Sequence, residues 1–218
     1  MPAAAPILDA ILASPSLPDY AEVINTRLRE ERQRRQRFYA EMSDEHKMEF
    51  IEGEIIMHSP ARNWHLVTKL NLASLLNLFV RIHKLGAVRD EKCLCVFPRN
   101  DYEPDIVFFG PEKAAALQPD QLKFPVPDLA VEVLSESTER RDRGVKFADF
   151  EAHGVSEYWI IDPETRTLEQ YVNDAGTFRL QTKSGTGELL STIVPGFCIP
   201  IPAIFNDDAH LAAMRAML

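Results

Sequence analysis

Two carboxylates stand out by where they lie in the chain. In Leu129–Leu134, LAVEVL, every residue is apolar except Glu132, the pattern of a strand buried on both faces. A lone carboxylate there costs several kcal/mol unless it is paired or holds a metal. The alternative is a strand-end glutamate capped by a nearby arginine. Asp105, in YEPDIVFF, opens a second apolar run directly after Pro104. Alone, a Pro-Asp step reads as a turn or a strand entry. Two acidic residues on neighbouring apolar strands can instead converge on one hard, oxygen-preferring cation, Mg²⁺ or Mn²⁺.

A lysine with the reach to meet Glu132 is Lys146. A helix after the Glu132 strand, packed antiparallel to it, would carry Lys146 back by roughly 14 Å at the helical rise. Glu132 lies about 7 Å back from its strand end. Helical side chains lean toward the helix N-terminus, so the four-carbon stem can close the gap. Asp142 stands one turn earlier, and the alternative is an exposed ion pair four residues apart on a helix surface. His65 stands near the start of another helix and can face the same site, or can be a capped or surface histidine. The histidines show no zinc spacing, and the chain has neither a Gly-rich phosphate loop nor a GxSxG motif.

The elements that would position these residues follow from period and punctuation. Ala21–Glu41 is rich in helix formers with a narrow apolar stripe. Its basic run ERQRRQR is diluted by glutamates and reads as a solvated face. MEFIEGEIIMHSP reads as a hairpin bent at Gly53. Leu66, Leu70, Ala73, Leu76 and Val80 mark a helix closed by Gly86. Strands are expected over Ala87–Phe97, Asp105–Phe109 and Asp128–Leu134. A helix from Ser137 or Thr138 to about Ala152 is followed by Gly154. Tyr158–Asp162, Thr167–Val172 and Phe178–Gln181 read as an antiparallel meander, with Tyr158 and Trp159 in the core rather than a base-stacking platform. Ile204–Met217 closes the chain as a helix. The order implies an α/β fold with one central mixed sheet.

Bulk properties narrow the function. The chain has 218 residues, 45% hydrophobic and 26% charged, enough for one well-cored domain. No apolar run is long enough to span a bilayer. The first sixteen residues lack the basic flank of a signal peptide and read as a ragged leader. Three cysteines make no disulfide framework, and Cys93 and Cys95 read as buried thiols of a cytoplasmic protein. A net charge of -9 argues against coating nucleic acid by charge alone. It leaves room for a nuclease whose metal carries the local positive charge.

The run PDLAVEVLSESTERRDRGVKFADFEAHGVSEYWIIDP, with MEFIEGEIIMHSPARNWH and YEPDIVFFG upstream, resembles the Uma-two family of restriction-endonuclease-like, PD-(D/E)XK proteins. The resemblance covers about Met48 to Gln170. It implies a restriction-endonuclease-like core with flanking helices and a C-terminal meander. The implied metal carboxylates are Asp105 and Glu132; on our own reading the Val133 carbonyl is expected to join them on the metal. Leu134 stands where the motif would put its lysine, and Lys146 is the displaced lysine. Glu49 matches an acidic position of the opening strand. The chain departs from the family pattern at Met48, Phe50, Glu52, Glu136 and Phe150.

These readings imply a leader and helix over 1–42, the nuclease-like domain over 43–205 and a closing helix over 206–218. The function expected is Mg²⁺- or Mn²⁺-dependent hydrolysis of DNA phosphodiester bonds, in a soluble chain that can form a homodimer. The rival reading is a non-catalytic interaction module that keeps the fold.

Overall fold

A computed structural model describes residues 5–42 and 46–218; the first four residues of the leader and the domain boundary drawn at residue 43 lie outside them. The rest of the leader is not ragged. It forms a helix, α1 (Ala5–Leu12), and a short turn leads into α2 (Leu17–Glu41), which starts four residues earlier than its sequence pattern suggests because Pro18 suits a first helical turn. The narrow stripe of α2 buries Phe38 on Phe50 and Leu94, and Arg35 clamps it down through Asp101 at 2.5 Å.

A hairpin follows, β1 (Met48–Ile51) and β2 (Glu54–Met57). Its two-residue bend, Glu52 and Gly53, has φ of 52° and 90°, as a tight hairpin turn requires. Helix α3 (Asn63–His83) buries Leu72, Leu75, Leu76 and Val80. It ends at Lys84 in the left-handed conformation rather than at Gly86. Gly86 serves another need: a Cβ there would stand 2.1 Å from the Phe109 carbonyl oxygen.

The expected strand over 87–97 is divided. It becomes β3 (Ala87–Asp90) and β4 (Leu94–Val96), separated by Glu91, Lys92 and Cys93, the first two at positive φ. That kink sends the two halves into different sheets, so the single central sheet expected from the sequence is two. Strands β5 (Asp101–Tyr102) and β6 (Ile106–Phe109), helix α4 (Pro111–Ala116), β7 (Lys123–Phe124) and β8 (Leu129–Val133) follow. One sheet runs β2-β1-β5-β4-β7. The larger runs, from its far edge, through the meander β11 (Thr177–Ser184), β10 (Thr167–Asp174) and β9 (Glu157–Asp162) to β8, β6 and β3. A short pair, β12 (Glu188–Leu190) with β13 (Cys198–Pro200), completes a mixed α/β architecture.

Between β8 and β9 the helix expected over 138–152 has three parts: α5 (Glu139–Arg141), a π-helical turn over Asp142–Lys146, and α6 (Phe147–Ala152). At the C-terminus a 3₁₀ turn (Ile201–Ile204) precedes α7 (Asp207–Met217), whose first turn is capped by Asn206 accepting from the Ala209 N–H at 2.9 Å.

Strand β8 is buried on both faces. Leu129, Val131 and Val133 face the core under α3. Ala130 and Leu134 face a second core shared with Ile51, Cys95 and Tyr102 of the smaller sheet. Glu132 alternates with them and therefore points into this layer between the sheets. Cys93 and Cys95 are buried free thiols. Among the described residues no helix is long and apolar enough to cross a membrane.

A buried carboxylate and lysine centre between the two sheets

Strands β6 and β8 pair antiparallel with Ile106 opposite Val131. The same register carried one step further sets Asp105 opposite Glu132, with both side chains on the face toward the smaller sheet. The Val133 N–H donates to Asp105 Oδ2 at 2.9 Å and fixes that carboxylate on the end of β8. From the facing sheet, β1 turns Phe50 onto α2 and the neighbouring Glu49 inward, by the alternation of a strand. The Glu103 N–H donates to Glu49 Oε1 at 2.9 Å.

Lys146 closes the arrangement. Its Nζ lies 2.8 Å from both Glu132 Oε1 and Glu49 Oε1 and 3.3 Å from Asp142 Oδ1. Lys146 and Asp142 are both buried, so the four-residue spacing that suggested a surface pair belongs to the interior. The wider π turn carries both groups at one level, a distortion frequent at functional sites. His65, from the first turn of α3, places Nε2 3.6 Å from Asp105 Oδ2. Asp105, Glu132, Lys146, Glu49 and His65 therefore meet in one place.

Four neighbours carried no clear sign in the sequence. Lys47 Nζ sits 2.9 Å from Asp105 Oδ1, yet nothing in its surroundings marks a lysine at a strand entry. His58 Nε2 lies 3.0 Å from Glu49 Oε2. Glu103 is buried and accepts from the Met48 N–H at 2.9 Å; an acidic residue in the apolar YEPDIVFF run was the available hint. Asp142 was visible only as a helix-surface partner.

Charge does not balance here. Five carboxylates, those of Glu49, Glu103, Asp105, Glu132 and Asp142, are buried around two lysines and two histidines. Burial alone would raise Glu49, but Lys146 and His58 outweigh it and hold the carboxyl at about 2. Burial opposes ionisation of Asp105 as well, and Lys47 and His65 hold it well below the usual carboxylate range. The other three lack that compensation. Burial pushes Glu103 up to about 7, and burial with neighbouring carboxylates pushes Glu132 and Asp142 up. Burial would discharge Lys146, but Glu132, Glu49 and Asp142 keep it an ammonium.

Hard oxygen donors in excess over cations suit Mg²⁺ or Mn²⁺. Among the described residues nothing donates a well-aligned hydrogen bond to either Asp142 oxygen, and His65 Nδ1 is buried without a partner. In the present arrangement the ammoniums of Lys47 and Lys146 stand between the carboxylates. Among the described residues no three His, Cys, Asp or Glu side chains converge tightly enough to hold an ion. The donor chemistry fits a divalent cation, and its entry requires these ammoniums to shift.

Residues 30–202 match the family Uma2, described as "Putative restriction endonuclease". The chain belongs to the Uma2 family. The matched span contains every member of the buried centre. A solved structure from Anabaena variabilis, described as "a putative nuclease belonging to DUF820", is similar to this Uma2 chain with a TM-score of 0.66 at 20% identity, covering 77% of this chain and 94% of that one. The likeness extends the nuclease-like fold to this chain. No curated protein matches it. The departures from the Uma2 pattern lie outside the contacts of Lys146. Phe50 is buried on Phe38, and Phe150 stacks on Phe97 with centroids 5.2 Å apart.

Proposed function

We propose that the chain is a divalent-metal-dependent nuclease that hydrolyses DNA phosphodiester bonds at the centre between its two sheets. The observation that carries the reading is the convergence of Glu49, Asp105, Glu132 and Asp142, from three strands and one helix, on two lysines, with more buried acid than the cations present can neutralise. A scaffold gains nothing from such an excess, since apolar replacements of buried charge are commonly neutral or stabilising.

In this reading Asp105 and Glu132 hold Mg²⁺ or Mn²⁺, which would activate a water and neutralise charge on the phosphate oxygens. The chain's own residues do the rest. Lys146, released from one carboxylate, orients the attacking water and stabilises the charge that develops on the phosphorus oxygens. Lys47, the more exposed lysine, receives the phosphate from the solvent side. Glu49 anchors Lys146, and His65 faces Asp105 Oδ2. Residues 43–205 carry this chemistry in our reading, and α1, α2 and α7 buttress it. The free thiols fit a cytoplasmic location. Exposed Ile7, Leu8, Leu12, Val23 and Ile24 on α1 and α2 would be covered in a symmetric homodimer.

The test is cleavage of supercoiled, linear, branched and single-stranded DNA with Mg²⁺ or Mn²⁺. Activity should vanish with a chelator and in Asp105→Asn and Glu132→Gln. Lys146→Ala should slow it by ~10²–10³, the scale for losing one electrostatic stabiliser. Equal cleavage by wild type and Glu132→Gln would contradict the site. Silence across the panel would favour a non-catalytic interaction module.

A further inference from the structure

The chain has two tryptophans with opposite fates. Trp159 is fully buried, whereas Trp64, in the first turn of α3, is 42% exposed. An exposed indole leaves much apolar area in water, and Trp64 is not isolated. With Asn63, Val67, Glu164, Arg166 and Phe205 it lines a concavity of about 270 Å³ between α3 and the turn joining β9 to β10. The Arg62 guanidinium lies 5.4 Å over the indole centroid, so one ring face is already backed by positive charge. Among the described residues the side chains of Asn63, Glu164 and Arg166 make no hydrogen bond or ion pair. The next residue of α3, His65, points instead to Asp105, 3.6 Å away. One helical turn thus lines both the concavity and the carboxylate centre.

We propose that this concavity is a nucleobase subsite, which takes an unpaired base of DNA beside the phosphate being cut. The inference rests on the nuclease reading above and narrows its substrate to single-stranded or frayed DNA. Three features favour a base. The indole, Val67 and Phe205 offer flat apolar contact to a ring. Glu164 and Asn63 offer an acceptor and a donor–acceptor pair to its polar edge, and Arg166 offers donors to the adjoining phosphate. The volume lies just below that of typical drug-sized sites and suits one ring system. An aromatic surface can stack only on a base that has left the duplex, since paired bases hide their faces. The net charge of -9 adds a reason. Few phosphate contacts are on offer for counterion release, so affinity has to come from stacking.

Trp64 is the one exposed tryptophan, and its fluorescence reports the concavity over the constant background of Trp159. The full-length protein, held in chelator so that nothing is cut, is titrated with a single-stranded oligonucleotide and with the blunt duplex of the same sequence. The single strand should quench the emission saturably and the duplex should not. Trp64→Ala should weaken single-strand binding, read by anisotropy of a labelled strand, about tenfold or more, while its thermal unfolding stays at the wild-type value. No quench, equal quench by both forms, or undiminished binding by Trp64→Ala would overturn the subsite. The nuclease reading fails separately. Quenching by the single strand without cleavage under any divalent ion would leave the subsite standing and remove the nuclease. Cleavage by Trp64→Ala with wild-type rate and strand preference would remove the subsite and leave the nuclease.

Discussion

Glu157 and Glu132 lie on adjacent parallel strands of one sheet, three register steps apart, and both are closed to solvent. Their surroundings differ in donors. Glu157 is saturated. Trp159 Nε1 and the Gln170 amide donate to Oε1, and Oε2 accepts from Ser191 Oγ at 2.7 Å and the N–H groups of Thr192 and Ile193 at 3.1 Å. No cation is needed, because neutral donors pointing at a carboxylate stabilise its charge. Among the described residues Glu132 has one donor, Lys146, which it shares with Glu49, and its neighbours include Asp142 and Asp105. Burial alone does not mark a functional carboxylate. What separates the two is whether the fold has already spent donors on every oxygen.

The comparison breaks most sharply under charge removal. Glu157→Gln places an amide N–H₂ among donors that need an acceptor, so it should cost about 3 kcal/mol. Glu132→Gln keeps an acceptor for Lys146 and removes a charge the site struggles to hold. Without metal it should unfold within about 1 kcal/mol of wild type, or later. Denaturant melts of both variants side by side check this. A loss of more than ~2 kcal/mol in Glu132→Gln would make Glu132 a structural group like Glu157.

A smaller effect sharpens the same contrast through pH. Glu103 is raised from its ordinary value to about 7 by burial. A carboxyl whose folded value is raised contributes stability that is full below its unfolded value near 4.5 and is lost as pH rises through 7. Glu103→Gln should therefore stabilise the metal-free protein at pH 8, by roughly 1–2 kcal/mol, and have little effect at pH 4. Thermal melts of wild type and variant at the two pH values give the comparison. A gain of equal size at both would mean that titration of Glu103 is not involved.

Much of the site was legible because it violates local pattern. Glu132 breaks an apolar run, Asp105 opens one, and helix geometry brings Lys146 within reach of Glu132. What escaped depends on contacts that local pattern does not carry. Apart from Trp159, the donors that satisfy Glu157 come from residues 170 and 191–193. Lys47 reaches Asp105 across 58 positions. The division of the expected 87–97 strand rests on Glu91 and Lys92 adopting positive φ, where neither glycine nor proline gives warning. The π turn at Asp142–Lys146 was invisible for a similar reason: a helical period extends smoothly through it. The α/β class and the meander were readable from alternation alone, whereas the number of sheets was not.

The central claim is that Asp105 and the uncompensated Glu132 are reserved for a divalent cation, and calorimetric titration with Mn²⁺ at pH 8 addresses it most directly. Wild type and Glu157→Gln, at a temperature where both are folded, should bind one ion. Asp105→Asn and Glu132→Gln should bind none. Mn²⁺ binding of undiminished affinity in Glu132→Gln, or none in wild type, would contradict the account.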